Sequence, residues 1–157
     1  MMTLSVLVFE LDSYRLGLPL AAVERVEHAC EVTPLPGAPA AVPGVINLQG
    51  RIAAVVDLRR RLGLVPRPVV PSDAFIVLQL PQHLFALPAD EVEGVQEVDL
   101  KHLVPADTLV GGLAKVQGVV KTAQGLLLIE DPQQFLDVHD MRALDDALDA
   151  QTDRGST

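Results

Sequence analysis

The sequence predicts an all-β fold of two small barrels, each of about five strands, packed as a pseudo-symmetric pair. Three observations carry that expectation: an internal repeat, short Val- and Leu-rich runs, and frequent turn residues. The 157-residue chain holds 12 prolines and 11 glycines, which cut the apolar runs too often for long helices.

The repeat comes first. Shifted by 69 residues, VFELDSYRLGLPLAAVERVE (8–27) falls on VLQLPQHLFALPADEVEGVQ (77–96). Identities are Val8/Val77, Leu11/Leu80, Leu18/Leu87, Pro19/Pro88, Val23/Val92, Glu24/Glu93 and Val26/Val95. The register holds to Pro36/Pro105 and then becomes 74, pairing Gly44-Val45 with Gly118-Val119, Asp57 with Asp131 and Leu62 with Leu136. Matched apolar and turn positions, with length changes confined to loops, indicate two copies of one supersecondary unit. The expected division is 1–70 for the first barrel, 71–137 for the second and 138–157 for an acidic C-terminal helix and tail, with a boundary near 66–71.

Each unit reads alike. LSVLVFEL and AFIVLQL are strands, DS and PQ lie in the turns that follow, and YRLGLPL and HLFALPA are second strands. AVERVEHA and DEVEGVQE carry apolar residues three apart, which suits a short helical turn or a twisted strand. The Pro-rich TPLPGAPAAVPG is a loop, since proline cannot serve a ladder interior. VINL and RIAAVVDL form a hairpin around Gln49-Gly50. DLRRRLG then makes one helical turn capped by Asp57, with Leu58 and Leu62 toward the core and Gly63 after the last helical residue. Arg59, Arg60 and Arg61 are expected on or near its exposed side. At the C-terminus, Met141, Leu144 and Leu148 share one face of an amphipathic helix that fits packing on the barrels better than a partner.

Composition excludes several functions. A net charge of −9 opposes nucleic-acid binding, and four phenylalanines, one tyrosine and no tryptophan give no base-stacking platform. No apolar run is long enough to span a bilayer, and MMTLSVLVFELDSY carries no basic leader, so neither a membrane span nor a signal peptide is expected. The lone Cys30 forms no internal disulfide and fits a reducing compartment. His28, His83, His102 and His139 lack ligand spacing, so no metal or other cofactor is expected. There is no nucleophile motif, and GGLAK (111–115) lacks the spacing of a phosphate loop and reads as a mobile loop. Asp131, before Pro132, reads as a helix cap. No catalytic constellation remains.

VPGVINLQGRIAAVVDLRRRLGL resembles the signature of CheW-type coupling proteins of bacterial chemotaxis. Their Gly-Val/Ile-x-Asn-Leu-Arg-Gly, hydrophobic strand and Asp-Leu-Arg are matched by Gly44, Asn47, Leu48, Gly50, Asp57, Leu58 and Arg59. YRLGLPLAAVERVE and FALPADEVEGVQEV extend the likeness over about residues 4 to 137. The resemblance implies two five-stranded SH3-like barrels around a shared core. It also implies a noncatalytic cytoplasmic adaptor that joins chemoreceptor tips to the regulatory domain of a histidine kinase. By the same resemblance Val23, Val26, Gly44 and Val45 lie at the groove that takes the receptor tip, and Arg59 matches the family arginine. Two positions depart from the pattern. Gln49 replaces the arginine of Asn-Leu-Arg-Gly, and Arg25 replaces the glutamate of Val-x-Glu-Val, positions of opposite charge that would be expected to pair. The expected partner-binding set is therefore Val23, Arg25, Val26, Gly44, Val45, Gln49 and Arg59, in a divergent member serving its own receptor or kinase set. A scaffold of a pili or biofilm pathway and a small-molecule-sensing barrel are the alternatives, the latter needing a pocket with convergent polar groups.

Overall fold

The structure, a computed structural model, describes residues 2–105 and 116–155; GGLAK lies outside them. Eleven strands form two sheets among the described residues. They are β1 (Thr3–Leu11), β2 (Tyr14–Pro19), β3 (Val23–His28), β4 (Gly44–Leu48), β5 (Arg51–Val55), β6 (Ala74–Gln79), β7 (Leu84–Ala89), β8 (Glu91–Asp99), β9 (Leu103–Pro105), β10 (Val116–Thr122) and β11 (Gly125–Glu130). Two helices, α1 (Leu58–Arg61) and α2 (Val138–Gly155), follow β5 and the second unit. One sheet has the order β8-β1-β2-β11-β10-β9 and the other β3-β6-β7-β5-β4. The sixth strand, β9, pairs with β10, where the first unit has only an isolated bridge between Thr33 and Val45.

The sheets do not part at 70/71. The β1–β2 hairpin belongs to the sheet of β8 to β11, and the β6–β7 hairpin to that of β3 to β5. The exchange follows the repeat. Leu7 faces Val95 and the matched Ile76 faces Val26; Leu16 runs beside Leu128 and the matched Phe85 beside Ala54. Identical registers across both offsets make the two sheets pseudo-equivalent.

Alternation along β1 and β6 explains why both read as continuous apolar runs: each is buried on both faces. Leu7, Phe9 and Leu11 enter a large shared core with Leu16, Leu18, Ile76, Leu78, Phe85 and Leu87, to which both sheets contribute. Val6 and Val8 point the other way, into the interior of one barrel with Leu127 and Ile129. Phe75 and Val77 do the same in the other barrel, with Ile46, Ala53 and Val55. Among the described residues, a core in each barrel, a shared core between them and a small cluster of Val119 and Leu128 hold the pair together through apolar burial.

The ambiguous segments resolve as strands, the first preceded by a 3-10 turn at Leu20–Ala22. The β4–β5 turn is a two-residue connection in which Gln49 (φ 54°) and Gly50 (φ 91°) both adopt positive φ, a primed turn matching strand twist. The Asn47 side chain accepts a hydrogen bond from the Gly50 N–H at 2.7 Å. Asp57 caps α1 by accepting from the Arg59 N–H at 3.0 Å, as Asp131 caps its turn through the Gln133 N–H at 3.1 Å. Gly63 (φ 71°) closes α1: its N–H donates to the Arg60 carbonyl and that of Leu64 to the Arg59 carbonyl, a Schellman arrangement. Helix α2 packs on the shared core through the buried Leu144 and Ala147, flanked by Met141 and Leu148.

Candidate protein-interaction site

Strand β3 exposes one side chain in two. Val23, Arg25 and Glu27 are half-buried, whereas Glu24, Val26 and His28 face solvent. Of the expected residues, Val23 and Val45 pack against the shared core. Val26 is 43% exposed. Gly44 is buried, and Gln49 is exposed at the tip of the β4–β5 turn. Arg25 Nε lies 2.7 Å from Glu27 Oε1 on its own strand.

The charge pair on this surface is formed by neighbours that the sequence reading passed over. Arg51, at the start of β5, reaches across the sheet to Glu24 on β3, with Nη1–Oε2 at 3.1 Å and Nη2–Oε1 at 3.0 Å. Its Nη2 also donates to Gln79 Oε1 of β6 at 3.0 Å. Hydrogen bonding from Arg51 holds the Glu24 carboxyl below its ordinary range. Next to Arg51, Ile52 is 52% exposed. Strands β3 and β5 thus carry a bidentate ion pair, with Val26 and Ile52 exposed on the same two strands and Ile52, next to Arg51 in the chain, on the opposite face of the sheet. The available signal was the Glu24 beside Arg25 and the Arg51 beside Gly50, each one or two positions from the residues the family pattern picks out.

Arg59 corrects the sequence reading. Among the three arginines of α1, only Arg60 is exposed. Arg59 is 5% exposed. Its Nη1 donates to Asp12 Oδ1 at 2.9 Å and its Nη2 to Asp90 Oδ1. Asp90 also accepts from Arg67, which binds Asp73 through two bonds of 2.9 and 2.8 Å. The chain Asp12–Arg59–Asp90–Arg67–Asp73 therefore fastens the connector between units to the β1–β2 turn and to both ends of the β6–β7 hairpin. Burial would raise the carboxyls of Asp73 and Asp90, but their arginine partners, with the Val70 and Asp12 N–H groups, outweigh it and hold both below the ordinary range. Two of the four residues of α1, Leu58 and Arg59, turn inward, and distant carboxylates satisfy the charged one. A cleft of about 420 Å³ borders this network, but Arg59, Arg67, Asp73 and Asp90 are committed to one another. Cys30, Glu31 and Asp57 also line it.

Comparison with known proteins places these features. The family model described as the CheW-like domain matches residues 5–140. The chain belongs to the CheW-like family. The chemotaxis protein CheW of Thermotoga maritima is 30% identical over 132 residues, covering 84% of this chain and 87% of that one. The chemotaxis protein CheW of Rhizobium meliloti is 29% identical over 126 residues, covering 77% and 78%. The crystal structure of the scaffolding protein TtCheW from Thermoanaerobacter tengcongensis superposes with a TM-score of 0.77 at 26% identity, covering 89% of this chain and 92% of that one. The protein is thus a noncatalytic chemotaxis adaptor of the CheW type, built from two SH3-like barrels. No described helix is long and apolar enough to cross a membrane.

Proposed function

We propose that this CheW-like chain couples the cytoplasmic tips of transmembrane chemoreceptors to the regulatory domain of a histidine kinase, acting in the cytoplasm at membrane-associated arrays. The observation that carries the reading is the Arg51–Glu24 pair with Val26 and Ile52 exposed on its strands. Exposed apolar residues on strands that also carry a fixed ion pair suit protein recognition, the apolar area supplying affinity and the charges partner choice. Because the charge pair sits at Arg51 and Glu24 rather than at the family positions 49 and 25, it favours a cognate receptor or kinase with a shifted counter-pattern. The test is affinity purification of the tagged chain from its own cells. Recovery of a histidine kinase and a chemoreceptor is expected, with both reduced about tenfold or more by the double substitution Val26→Glu, Ile52→Glu. Recovery of neither by the wild-type chain would refute the proposal.

A further inference from the structure

The Arg51–Glu24 pair has a counterpart in the other sheet. Glu24 and Glu93 are matched by the repeat, and each carboxylate takes two bonds from one arginine. For Glu93 the donor is Arg15, through Nε at 3.0 Å and Nη2 at 3.1 Å. Only the carboxylates are matched: the offset of 69 puts Leu84 opposite Arg15, and the offset of 74 puts Gly125 opposite Arg51. Yet both arginines are completed in the same way. Each gives a further bond to a neutral side chain on another strand, Arg51 Nη2 to Gln79 Oε1 at 3.0 Å and Arg15 Nη1 to Thr122 Oγ1 at 3.0 Å. Each neutral group is in turn tied to a hairpin turn. Thr122 Oγ1 donates to the Gly125 carbonyl at 2.8 Å. Gln79 Nε2 donates to the Leu80 carbonyl at 2.8 Å and to the His83 carbonyl at 3.4 Å.

Gln79 can hold its amide only one way. The Leu80 and His83 carbonyls accept and cannot donate, so the NH2 faces them and the oxygen faces the guanidinium. The turn that takes the NH2 is itself closed, by the Leu80 N–H on the His83 carbonyl at 2.9 Å, and His83 Nε2 stands 2.8 Å from Asp145 Oδ1 of α2. We infer that Gln79 is a positioning residue for partner recognition, which fixes the Arg51 guanidinium, and through it Glu24, in the orientation that a partner meets. The inference rests on the Arg51–Glu24 pair as the site of partner choice, and deepens that reading. Arg51 is exposed, so without such bonds its long side chain samples many rotamers. Holding it beforehand removes an ordering cost from binding and gives the planar fork a direction. A neutral acceptor suits the task, because a carboxylate would compete with Glu24 for the arginine. Glu10, matched to Gln79, shows what a carboxylate meets there: burial, then Glu93 and Glu91, push it above its ordinary range.

The test is Gln79→Met in the full chain, which keeps the length of the side chain and removes the amide. Gln79 is exposed, so the urea midpoint is expected to stay at the wild-type value. By NMR of the isotope-labelled chain, the Arg51 Nε–H is expected to lose order. The Glu24 carboxyl, which Arg51 holds low, is expected to titrate closer to its ordinary range. Recovery of kinase and receptor on the tagged variant is expected to fall about threefold or more. Gln79→Glu keeps an acceptor but adds a like charge, and is expected to move the Glu24 titration further up than Gln79→Met does. Three results would each overturn the inference: Arg51 as ordered in Gln79→Met as in the wild type, wild-type recovery of the partners by that variant, or a large fall in its urea midpoint, which would make Gln79 a residue of the fold. The two readings fail separately. Wild-type recovery by the variant leaves the coupling proposal standing, whereas no recovery by the wild-type chain refutes that proposal whatever Arg51 does.

Discussion

Replacing Arg61 with leucine is expected to destabilise the folded chain by about 3–5 kcal/mol at neutral pH, because it leaves a buried carboxylate without its counter-ion. Glu130 is fully buried at the end of β11, and Arg61 Nη2 donates to its Oε2 at 2.8 Å. The guanidinium also lies over the Phe135 ring, 5.3 Å from its centroid. Burial pushes the Glu130 carboxyl above its ordinary range, and Arg61 pulls it back. The sign of the pH dependence follows. A carboxyl whose folded pKa is raised binds its proton more tightly when folded, so its ionisation costs stability as pH rises through that value. Losing Arg61 raises it further, so the variant's deficit is largest at pH 7 and shrinks as pH falls below the ordinary carboxylate range, where the carboxyl becomes protonated in both states. The acid-sensitive contributions of Asp73 and Asp90, whose folded pKa values are lowered, are present above the ordinary carboxylate range and lost as pH falls below it through the lowered folded values. They are common to both proteins and cancel in the difference. The repeat supplies the rescue: Val56 occupies the position matched to Glu130, and Phe135 the one matched to Arg61. Arg61→Leu with Glu130→Val is therefore expected to recover most of the loss, since an apolar pair replaces an ion pair in a dry site. Urea unfolding at pH 7 and below the ordinary carboxylate range measures all of this, and a single variant as stable as the wild type would remove the pair from the account.

Gly44→Ala is the second large effect. A Cβ at Gly44 would stand 2.2 Å from the Thr33 carbonyl oxygen and 2.8 Å from a Val32 methyl. The obstacle is backbone, tied to β4 by hydrogen bonds of 2.9 and 2.8 Å between Thr33 and Val45, and it cannot yield as a side-chain tip would. The matched Gly118 has the same constraint, with a Cβ 2.7 Å from the Val104 carbonyl oxygen and 2.7 Å from a Leu103 methyl. Expected losses are about 3 kcal/mol or more for Gly44→Ala and about 1–3 kcal/mol for Gly118→Ala, read as thermal unfolding midpoints. The glycine that the family pattern places at the binding groove is thus held there by the fold. A Gly44→Ala chain that unfolds like the wild type would contradict this and return Gly44 to a direct role in contact.

Much of this was legible because it is local. Asp57 and Gly63 bracket a helical turn by their own chemistry, Gln49-Gly50 lies between two apolar runs, and the offsets of 69 and 74 reappear as strand registers. What was not legible is long-range. The repeat says that two units are alike, but not that they trade hairpins, because periodicity describes a strand's faces and not its neighbour. Arg59 reads as exposed because its partners, Asp12 and Asp90, lie 47 and 31 residues away in sequence. The charge pair of the candidate surface was missed for the same reason: Glu24 and Arg51 are 27 residues apart and meet only once β6 and β7 lie between β3 and β5.

Co-sedimentation reads out the proposed joining of a receptor to a kinase through β3 and β5. Receptor-bearing membranes, the purified histidine kinase and the chain are mixed and pelleted with each component omitted in turn. The kinase is expected to pellet with the membranes when the wild-type chain is present, and not without it. With the Val26→Glu, Ile52→Glu chain, pelleted kinase should fall about tenfold or more. Kinase pelleting that is the same with and without the chain would contradict it.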